Sequence, residues 1–206
     1  MQVEVAQTSP FLRPGCDAAQ VALISLEIKV AVSDFRRIRK ALDALGATLA
    51  HPALRQIDWY FNVRGARLKL RRHGTESGGE VIIYRRPNTR GVRASGYVRL
   101  PASDCAGTRK LLTTMFGLRV CVRKRREVWL LKNARIHLDH VDRLGKFVEI
   151  EVIVTKGMSQ AKALMRVLLV GLHIESSGLI GYSYVELVNR SPARRSMSDQ
   201  MDEVTG

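Results

Sequence analysis

Charged side chains alternate with aliphatic ones in four short stretches of this 206-residue chain. The stretches are Ser25–Lys29, Arg67–Arg71, Arg135–Asp139 and Glu149–Glu151. A period of two places successive residues on opposite faces of a β-strand. Each stretch is therefore predicted to form a strand with one aliphatic and one charged face. Because some of these faces carry Arg and Lys and others carry Glu and Asp, the pattern favours a shared polar interior suited to a metal ion and a polyanion.

The carboxylates on these faces are candidate metal ligands, namely Glu27, Asp139, Glu149 and Glu151. Mg²⁺ and Mn²⁺ prefer oxygen ligands from one or two carboxylates and leave positions for water and phosphate oxygens. The set can hold such a cation only if its strands are neighbours. Ordinary surface salt bridges are the alternative interpretation.

The basic side chains with the same alternation are candidate phosphate ligands. They are Lys29, Arg67, Lys69, Arg71, Arg86, Lys124, Arg126 and Arg135. Guanidinium groups bind phosphate in a bidentate manner and Lys acts as a point charge. Buried together without an anion, these groups would repel one another and lose solvation. We therefore expect a tunnel filled by water, metal and polyphosphate, with a basic outer surface for RNA as the alternative.

His137 lies between Arg135 and Asp139 on the predicted polar face. It could act as an acid–base group or serve as a structural histidine hydrogen-bonded beside Asp139.

The formal net charge of +15 and the pI of about 10.5 predict an anionic partner. Nucleic acid is one such partner, but the basic residues are spread over strands, and an aromatic content of 6% is low for a base-stacking platform. Both features argue against nucleic acid, so an anion of another kind is expected ahead of it.

The three cysteines, Cys16, Cys105 and Cys121, form no CxxC pair, which argues against a zinc site or a disulfide framework. A reducing, cytoplasmic setting fits this usage. The N-terminal segment lacks the pattern of a signal peptide, and no window approaches the roughly 18 apolar residues of a membrane span, so no membrane association is expected.

Turn residues and apolar periodicity predict one folded unit over residues 22–189, between a flexible leader (1–21) and a disordered tail (190–206). A helix should follow Ser33 and Asp34 and end at Gly46, a second should start at Ser103 and Asp104 and stop at Gly117, and a third should run from Ser159 to Leu172. The apolar side of the second helix should carry Leu111, Leu112, Met115 and Phe116. Strands are predicted at Leu23–Val32, Gln56–Val63, Arg67–Arg72, Val81–Arg86, Gly96–Leu100, Val120–Leu131, Ala134–Val141 and Phe147–Thr155. About eight antiparallel strands and three helices make an α+β domain, and polar inner faces with apolar outer ones fit a closed barrel with helices packed outside.

Eight motifs in order resemble the CYTH superfamily, from about Leu23 to Leu187. This group includes class IV adenylyl cyclases, thiamine triphosphatases and inorganic tripolyphosphatases, also called triphosphate tunnel metalloenzymes. The motifs are Glu27-x-Lys29, Gln56-x-Asp58-x-Tyr60-Phe61, Arg67-Leu68-Lys69-Leu70-Arg71, Tyr84-x-Arg86-Pro87, Lys124-Arg125-Arg126-Glu127, Arg135-Ile136-His137-Leu138-Asp139, Gly145-x-Phe147-x-Glu149-x-Glu151 and Gly181-Tyr182-Ser183-Tyr184.

The resemblance implies an antiparallel eight-stranded tunnel that grips a triphosphate and holds Mg²⁺ or Mn²⁺. By position, Glu27, Glu149 and Glu151 would lie at the metal with Asp139 nearby. The basic residues Lys29, Arg67, Lys69, Arg86, Lys124 and Arg126 would face phosphates, and Lys29, Lys69 and Arg67 would take part in catalysis. The family signature opens Glu-x-Glu-x-Lys, whereas this chain has Ser25 at the first Glu. A hydroxyl is a poor ligand beside a carboxylate, so a reduced metal site is expected.

Three functions remain open at the level of sequence. The first is metal-dependent hydrolysis of tripolyphosphate, thiamine triphosphate or a nucleoside triphosphate, which we expect. The second is cyclisation of ATP to cyclic AMP and pyrophosphate, for which no base-recognition pocket can be identified. The third is a non-catalytic module that binds polyphosphate or RNA.

Overall fold

A closed barrel of antiparallel strands forms the centre of the computed structural model, which describes residues 23–74, 76–85, 88–89 and 91–190. The strand order around the barrel is β1-β5-β4-β3-β2-β6-β7-β8. The strands are β1 (Leu23–Val32), β2 (Thr48–Phe61), β3 (Arg67–His73), β4 (Gly79–Arg85), β5 (Arg93–Ala102), β6 (Leu118–Leu131), β7 (Ala134–Val141) and β8 (Gly145–Ile153). The predicted barrel is confirmed. The predicted leader (1–21) lies outside the described residues, as does the tail beyond Arg190.

Helices cover the outside and one end of the barrel. They are α1 (Arg36–Ala44), α2 (Cys105–Phe116), α3 (Met158–Gly171) and α4 (Tyr184–Arg190), with a 3₁₀ turn at Ser176–Gly178. No helix in the described part of the chain is both long and apolar enough to cross a bilayer.

The main hydrophobic core lies between the outer face of the barrel and helices α1 and α3. Ile28, Ile136 and Ile150 point outward from their strands and pack with Leu42 of α1 and Leu168 of α3, all fully buried. These isoleucines occupy the aliphatic phase of the alternating stretches. Their burial therefore fixes the charged phase toward the barrel interior, since a shift of one residue would exchange the two faces.

The helix ends agree with the predicted caps more closely than the helix faces do. The Asp104 carboxylate accepts a hydrogen bond from the Gly107 amide at 2.9 Å, and Gly117 ends α2 with a positive φ of 70°. The predicted apolar side of α2 is correct only for Leu112, which packs partly buried against the core, because Leu111 and Met115 are 58% and 62% exposed. Cys105 supplies the fully buried contact of this short helix instead.

Helix α4, which the sequence patterns did not predict, closes one end of the barrel. Tyr184 and Val185 of α4 pack with Phe147, Val122 and Tyr60 in a second buried cluster. The rings of Phe147 and Tyr184 meet edge to face, with centroids 5.3 Å apart. The interior is thus apolar at the α4 end and polar over the rest of its length.

Candidate active site in the barrel interior

A polar cavity of about 260 Å³ occupies the barrel. All eight strands and the start of α4 contribute side chains with ionisable or hydroxyl groups to its wall. These include Glu27, Lys29, Lys69, Arg71, Tyr84, Ser95, Tyr97, Lys124, Arg126, Arg135, His137, Glu149, Glu151 and Tyr184. The structure therefore brings most of the predicted site residues together.

One wall of the cavity is basic and is organised by Asp58. Lys69 and Arg71 of β3 and Lys124 of β6 flank β2, which carries Asp58 between them. Arg71 donates from Nε and Nη2 to the two oxygens of Asp58 at 2.7 and 2.8 Å, and Lys69 donates at 3.1 Å. Lys124 Nζ lies 3.8 Å from the same carboxylate. Asp58 is 1% exposed, so this single buried carboxylate holds three buried cations in place.

Asp139 forms an equivalent cluster on β7. Arg126 donates from Nε and Nη2 to Asp139 at 2.6 and 2.5 Å, and the Tyr184 hydroxyl donates to Oδ2 at 2.7 Å. Lys124 Nζ lies 3.8 Å from Asp139 as well, so this ammonium links the two clusters. Both oxygens of Asp139 are therefore engaged by protein donors.

Lys29 and Glu149 form a buried pair on neighbouring strands. Lys29 Nζ lies 3.2 Å from Glu149 Oε1 and 3.4 Å from the centre of the Tyr184 ring. Glu149 Oε2 accepts a hydrogen bond from Arg126 at 2.7 Å. His137 Nδ1 stands 3.7 Å from the same oxygen, which is too far for a direct hydrogen bond. His137 thus lies beside Glu149, and among the described residues no hydrogen bond joins its Nδ1 to Asp139.

The second carboxylate pair is Glu27 and Glu151, which lie directly opposite each other on β1 and β8. Such cross-strand neighbours have Cβ atoms about 5 Å apart, and like charges in this arrangement are destabilising. Arg93 Nε lies 3.5 Å from Glu27, and Arg135 Nη1 lies 3.8 Å from Glu151. Both distances are longer than the arginine–carboxylate hydrogen bonds of 2.5 to 2.8 Å in the Asp58 and Asp139 clusters.

Burial and like charge lower the pKa of two lysines in the basic wall. Burial, reinforced by Arg71, lowers the pKa of Lys69 to about 8. Burial, reinforced by Arg126, lowers the pKa of Lys124 to about 7. Both groups are therefore partly deprotonated near neutral pH in the protein alone, and a bound anion would restore their charge.

The pKa values of three buried carboxylates are lowered as well, which for an acid favours the charged form. Burial by itself would raise the pKa of Asp58, but Arg71, Lys69 and Lys124 hold it well below its ordinary range. For Asp139, burial is outweighed by Arg126 and Lys124, and its pKa is also lowered. For Glu149, Lys29, His137 and Arg126 together outweigh burial. All three carboxylates are ionised at neutral pH.

Among the predicted phosphate ligands that the structure describes, Arg67 is the one that does not line the cavity. Arg67 points toward the α4 end of the barrel, where it donates hydrogen bonds to Glu186 of α4 at 2.7 Å and to Asn88. Hydrogen bonds from Arg67, from the Ser183 amide and from Asn88 outweigh burial and lower the pKa of Glu186 to about 2. Arg86 lies outside the described residues.

Ser25 lies in the same phase of β1 as Glu27 and Lys29, as expected from the sequence. It is 1% exposed and faces Ser95 across β1 and β5. Its hydroxyl oxygen is buried and has no hydrogen-bond partner among the described residues. A small, unsatisfied hydroxyl thus stands where a carboxylate was expected.

The carboxylates that remain for a metal ion are few. Among the described residues, no three carboxylate, imidazole or thiol groups are gathered closely enough to hold an ion by themselves. The donors that fit Mg²⁺ or Mn²⁺ are Glu27 and Glu151, because such cations are commonly held by one or two carboxylates together with phosphate oxygens. Asp139 and Glu149, the other two carboxylates of the predicted set, bind Arg126 and Lys29, and the assignment of all four as metal ligands stays a prediction.

Asp58, Arg93 and Glu186 were not assigned a role from the sequence. Asp58 stood in a recognised motif, and its alternation with Gln56 and Tyr60 could have placed it inside the barrel. Arg93 alternates with Ser95 and Tyr97 in the same way and is buried, with its Nη1 donating to the Ile180 carbonyl at 2.9 Å. Glu186 could not have been found by alternation, because it lies on a helix.

Comparisons with known proteins agree with this architecture. The family model described as "CYTH domain" matches residues 23–170. No curated protein shows a significant match to the chain. The PH1012 protein from Pyrococcus horikoshii OT3 superposes with a TM-score of 0.71 at 22% identity, over 79% of this chain and 98% of that one.

Two further solved structures share the fold. A proposed adenylate cyclase from Vibrio parahaemolyticus gives a TM-score of 0.67 at 17% identity, over 82% of this chain and 99% of that one. A proposed adenylyl cyclase from Hippeastrum, reported to have a dominant triphosphatase activity, gives 0.57 at 15% identity, over 80% and 94% of the two chains. The match of the family model to most of the chain, together with the tunnel-shaped barrel, shows that this protein belongs to the CYTH family.

Proposed function

We propose that this protein is a metal-dependent enzyme that hydrolyses a triphosphate, such as tripolyphosphate, thiamine triphosphate or a nucleoside triphosphate. CYTH proteins are in general metal-dependent triphosphatases or adenylyl cyclases. The observation that carries the proposal is that one cavity has a basic wall on β3 and β6 and, across the barrel on β1 and β8, the carboxylate pair Glu27 and Glu151.

The basic wall is the phosphate-binding part of the proposed site. Lys69, Arg71, Lys124 and Arg126 are at most 9% exposed and come from two strands on either side of β2. Asp58 and Asp139 fix the two guanidinium groups in the protein alone, so little side-chain entropy remains to be lost when phosphate binds. The lowered pKa values of Lys69 and Lys124 show that the wall contains more positive than negative charge. A triphosphate would supply the missing negative charge.

The opposite wall is the part that suits a cation. Glu27 and Glu151 would hold Mg²⁺ or Mn²⁺ together with phosphate oxygens, and the bound cation would polarise the phosphoryl group under attack. Lys29, buried between Glu149 and Tyr184, adds a fixed positive charge beside this pair. Positively charged groups fixed in advance stabilise the charge that develops on the phosphoryl oxygens in the transition state.

Cyclisation of ATP is the second candidate. The same walls would bind the triphosphate, and two of the similar structures are proposed adenylyl cyclases. Cyclisation needs a site that places the ribose 3′-hydroxyl at the α-phosphorus. Hydrolysis needs only water at the terminal phosphorus, and the Hippeastrum protein is reported to favour it.

Product analysis separates the candidates. Purified protein would be incubated with tripolyphosphate, thiamine triphosphate or ATP in Mg²⁺ or Mn²⁺, and orthophosphate, pyrophosphate and cyclic AMP would be measured. Hydrolysis predicts orthophosphate without cyclic AMP, whereas cyclisation predicts equal amounts of cyclic AMP and pyrophosphate from ATP alone. Tight binding of these compounds without any product would contradict both and favour a binding module.

A further inference from the structure

Helix α2 turns large apolar side chains toward solvent. Leu111 and Met115 lie one turn apart on the same side of the helix and are 58% and 62% exposed. Phe116, the last residue of α2, and Leu118, the first residue of β6, are exposed as well. Single apolar residues on a surface are ordinary, but a group of them in one place marks a site that binds a protein or a membrane. These four residues are referred to below as the α2 face.

The stretches of chain that form and border the α2 face are rich in positive charge. Beyond the capping residue of α2, residues 105–126 include no Asp or Glu, and Lys110 is exposed within this stretch. The turn between β2 and β3 adds the exposed Arg64. This turn lies beside the end of α2, because the Asn62 amide donates a hydrogen bond to the Gly117 carbonyl at 3.2 Å. An anionic partner is therefore favoured over a second copy of this chain, which carries a net charge of +15.

Apolar and basic side chains together on one exposed helix fit the surface of an anionic bilayer. The apolar groups can enter the boundary between head groups and acyl chains, while Lys and Arg attract anionic head groups. A nucleic acid backbone offers no apolar surface to Leu111 and Met115. Protein partners anchor in well-packed pockets, and neither the interior cavity nor a second cavity beside α1 is lined by residues of α2. The observations therefore favour a membrane surface over either macromolecule.

We propose that the α2 face binds the surface of a membrane that contains anionic lipids, with Leu111 and Met115 inserted at the head-group boundary. Packing of Cys105 and Leu112 holds α2 on the barrel, so the exposed side chains can insert while the fold is retained. The sequence patterns that predict no membrane association concern signal peptides and spanning segments, and a helix that lies on the surface produces neither pattern. The inference does not depend on which reaction occurs inside the barrel.

Co-sedimentation with vesicles tests the proposal. The vesicles are phosphatidylcholine alone and phosphatidylcholine with about one third phosphatidylserine. Leu111→Gln/Met115→Gln removes the two most exposed apolar side chains of α2, and Val167→Gln/Val170→Gln is the matched control, since these valines are 54% and 75% exposed on α3. We expect the wild type to bind only the anionic vesicles, the α2 variant to bind them about tenfold more weakly, and the control to bind like the wild type.

A fluorescent reporter locates the contact independently of the affinity. Met115→Trp and Val170→Trp each place an indole at an exposed position, whereas the native Trp59 and Trp129 are buried. The emission of Met115→Trp should shift to shorter wavelength when anionic vesicles are added, because its indole enters a less polar environment, and the emission of Val170→Trp should stay unchanged. This readout decides the question even if the double variant of α2 fails to fold.

Four results would overturn the proposal. The first three are absence of wild-type binding to the anionic vesicles, equal losses of binding in the α2 variant and the α3 control, and no emission shift for Met115→Trp. The fourth is binding of poly-glutamate that is lost in the α2 variant while vesicle binding is kept, which would assign the α2 face to an acidic protein.

Discussion

Asp58 provides the sharpest test of how the basic wall is held together. The carboxylate is 1% exposed, receives two hydrogen bonds from Arg71 and one from Lys69, and lies 3.8 Å from Lys124. Asp58→Asn keeps the shape but removes the charge that compensates three buried cations. Removing one partner of a buried ion pair costs about 3–5 kcal/mol. For a domain of this size each kcal/mol lowers the melting temperature by roughly 2–4 °C, so a fall of about 10 °C is expected.

The assay is thermal unfolding of the ligand-free protein from pH 6.5 to pH 9. Asp142→Asn is the control, because Asp142 is exposed and its loss should cost no more than about 0.5 kcal/mol. The deficit of Asp58→Asn should narrow as pH rises, since Lys69 and Lys124, with pKa values of about 8 and 7, lose the charge that repels Arg71. A melting temperature within about 2 °C of the control at pH 7 would refute the view that Asp58 holds this wall.

Three further predictions concern the cavity. Glu27→Ala and Glu151→Ala should each reduce metal-dependent turnover at least about tenfold, which corresponds to about 1.4 kcal/mol. The control Glu175→Ala, at an exposed site outside the barrel, should leave turnover unchanged. Full activity of Glu27→Ala or Glu151→Ala in saturating Mg²⁺ would contradict their assignment as metal ligands. Ser25→Glu should strengthen Mn²⁺ binding measured by calorimetry relative to the matched Ser25→Gln, and equal affinities in two folded variants would place Ser25 outside the coordination shell. Triphosphate affinity should fall as pH rises from 6.5 to 9, because the lowered pKa values of Lys69 and Lys124 in the folded protein leave both lysines neutral at the upper end. The stability of the free protein should rise over the same range, because the unfolded chain then binds more protons than the folded protein. Lys124→Arg should make triphosphate affinity depend less on pH.

The strands that could be predicted from the sequence are those with strict alternation. In β1, β7 and β8 the aliphatic residues face a core of helices and the charged residues face one another, so a period of two determines both faces. The predicted start of β2 is too late, at Gln56 instead of Thr48. The first half of this strand is exposed, and its pairing with β6 is irregular near His51. Exposed strand residues carry no alternation from which a boundary could be read.

The sequence predicted which residues line the site better than it predicted which of these residues contact one another. Alternation placed Asp139 and Glu149 in the interior as candidate ligands, but strand order decides that Arg126 and Lys29 lie beside them. Asp58 acquires its role only when β3 and β6 flank β2. Arg67 alternates with Lys69 and Arg71, yet it meets Glu186 because α4 packs across that end of the barrel. Pairing of this kind depends on tertiary structure and leaves no local sequence signal.

The central claim is that the barrel interior hydrolyses a triphosphate with the help of a divalent cation. The most direct measurement is orthophosphate release from tripolyphosphate by the purified protein in Mg²⁺ or Mn²⁺, repeated after chelation and with Glu27→Ala. We expect multiple turnovers that stop on chelation and whose rate falls at least about tenfold in the variant. Orthophosphate release that persists unchanged after chelation, or none at all from any triphosphate in either metal, would contradict it.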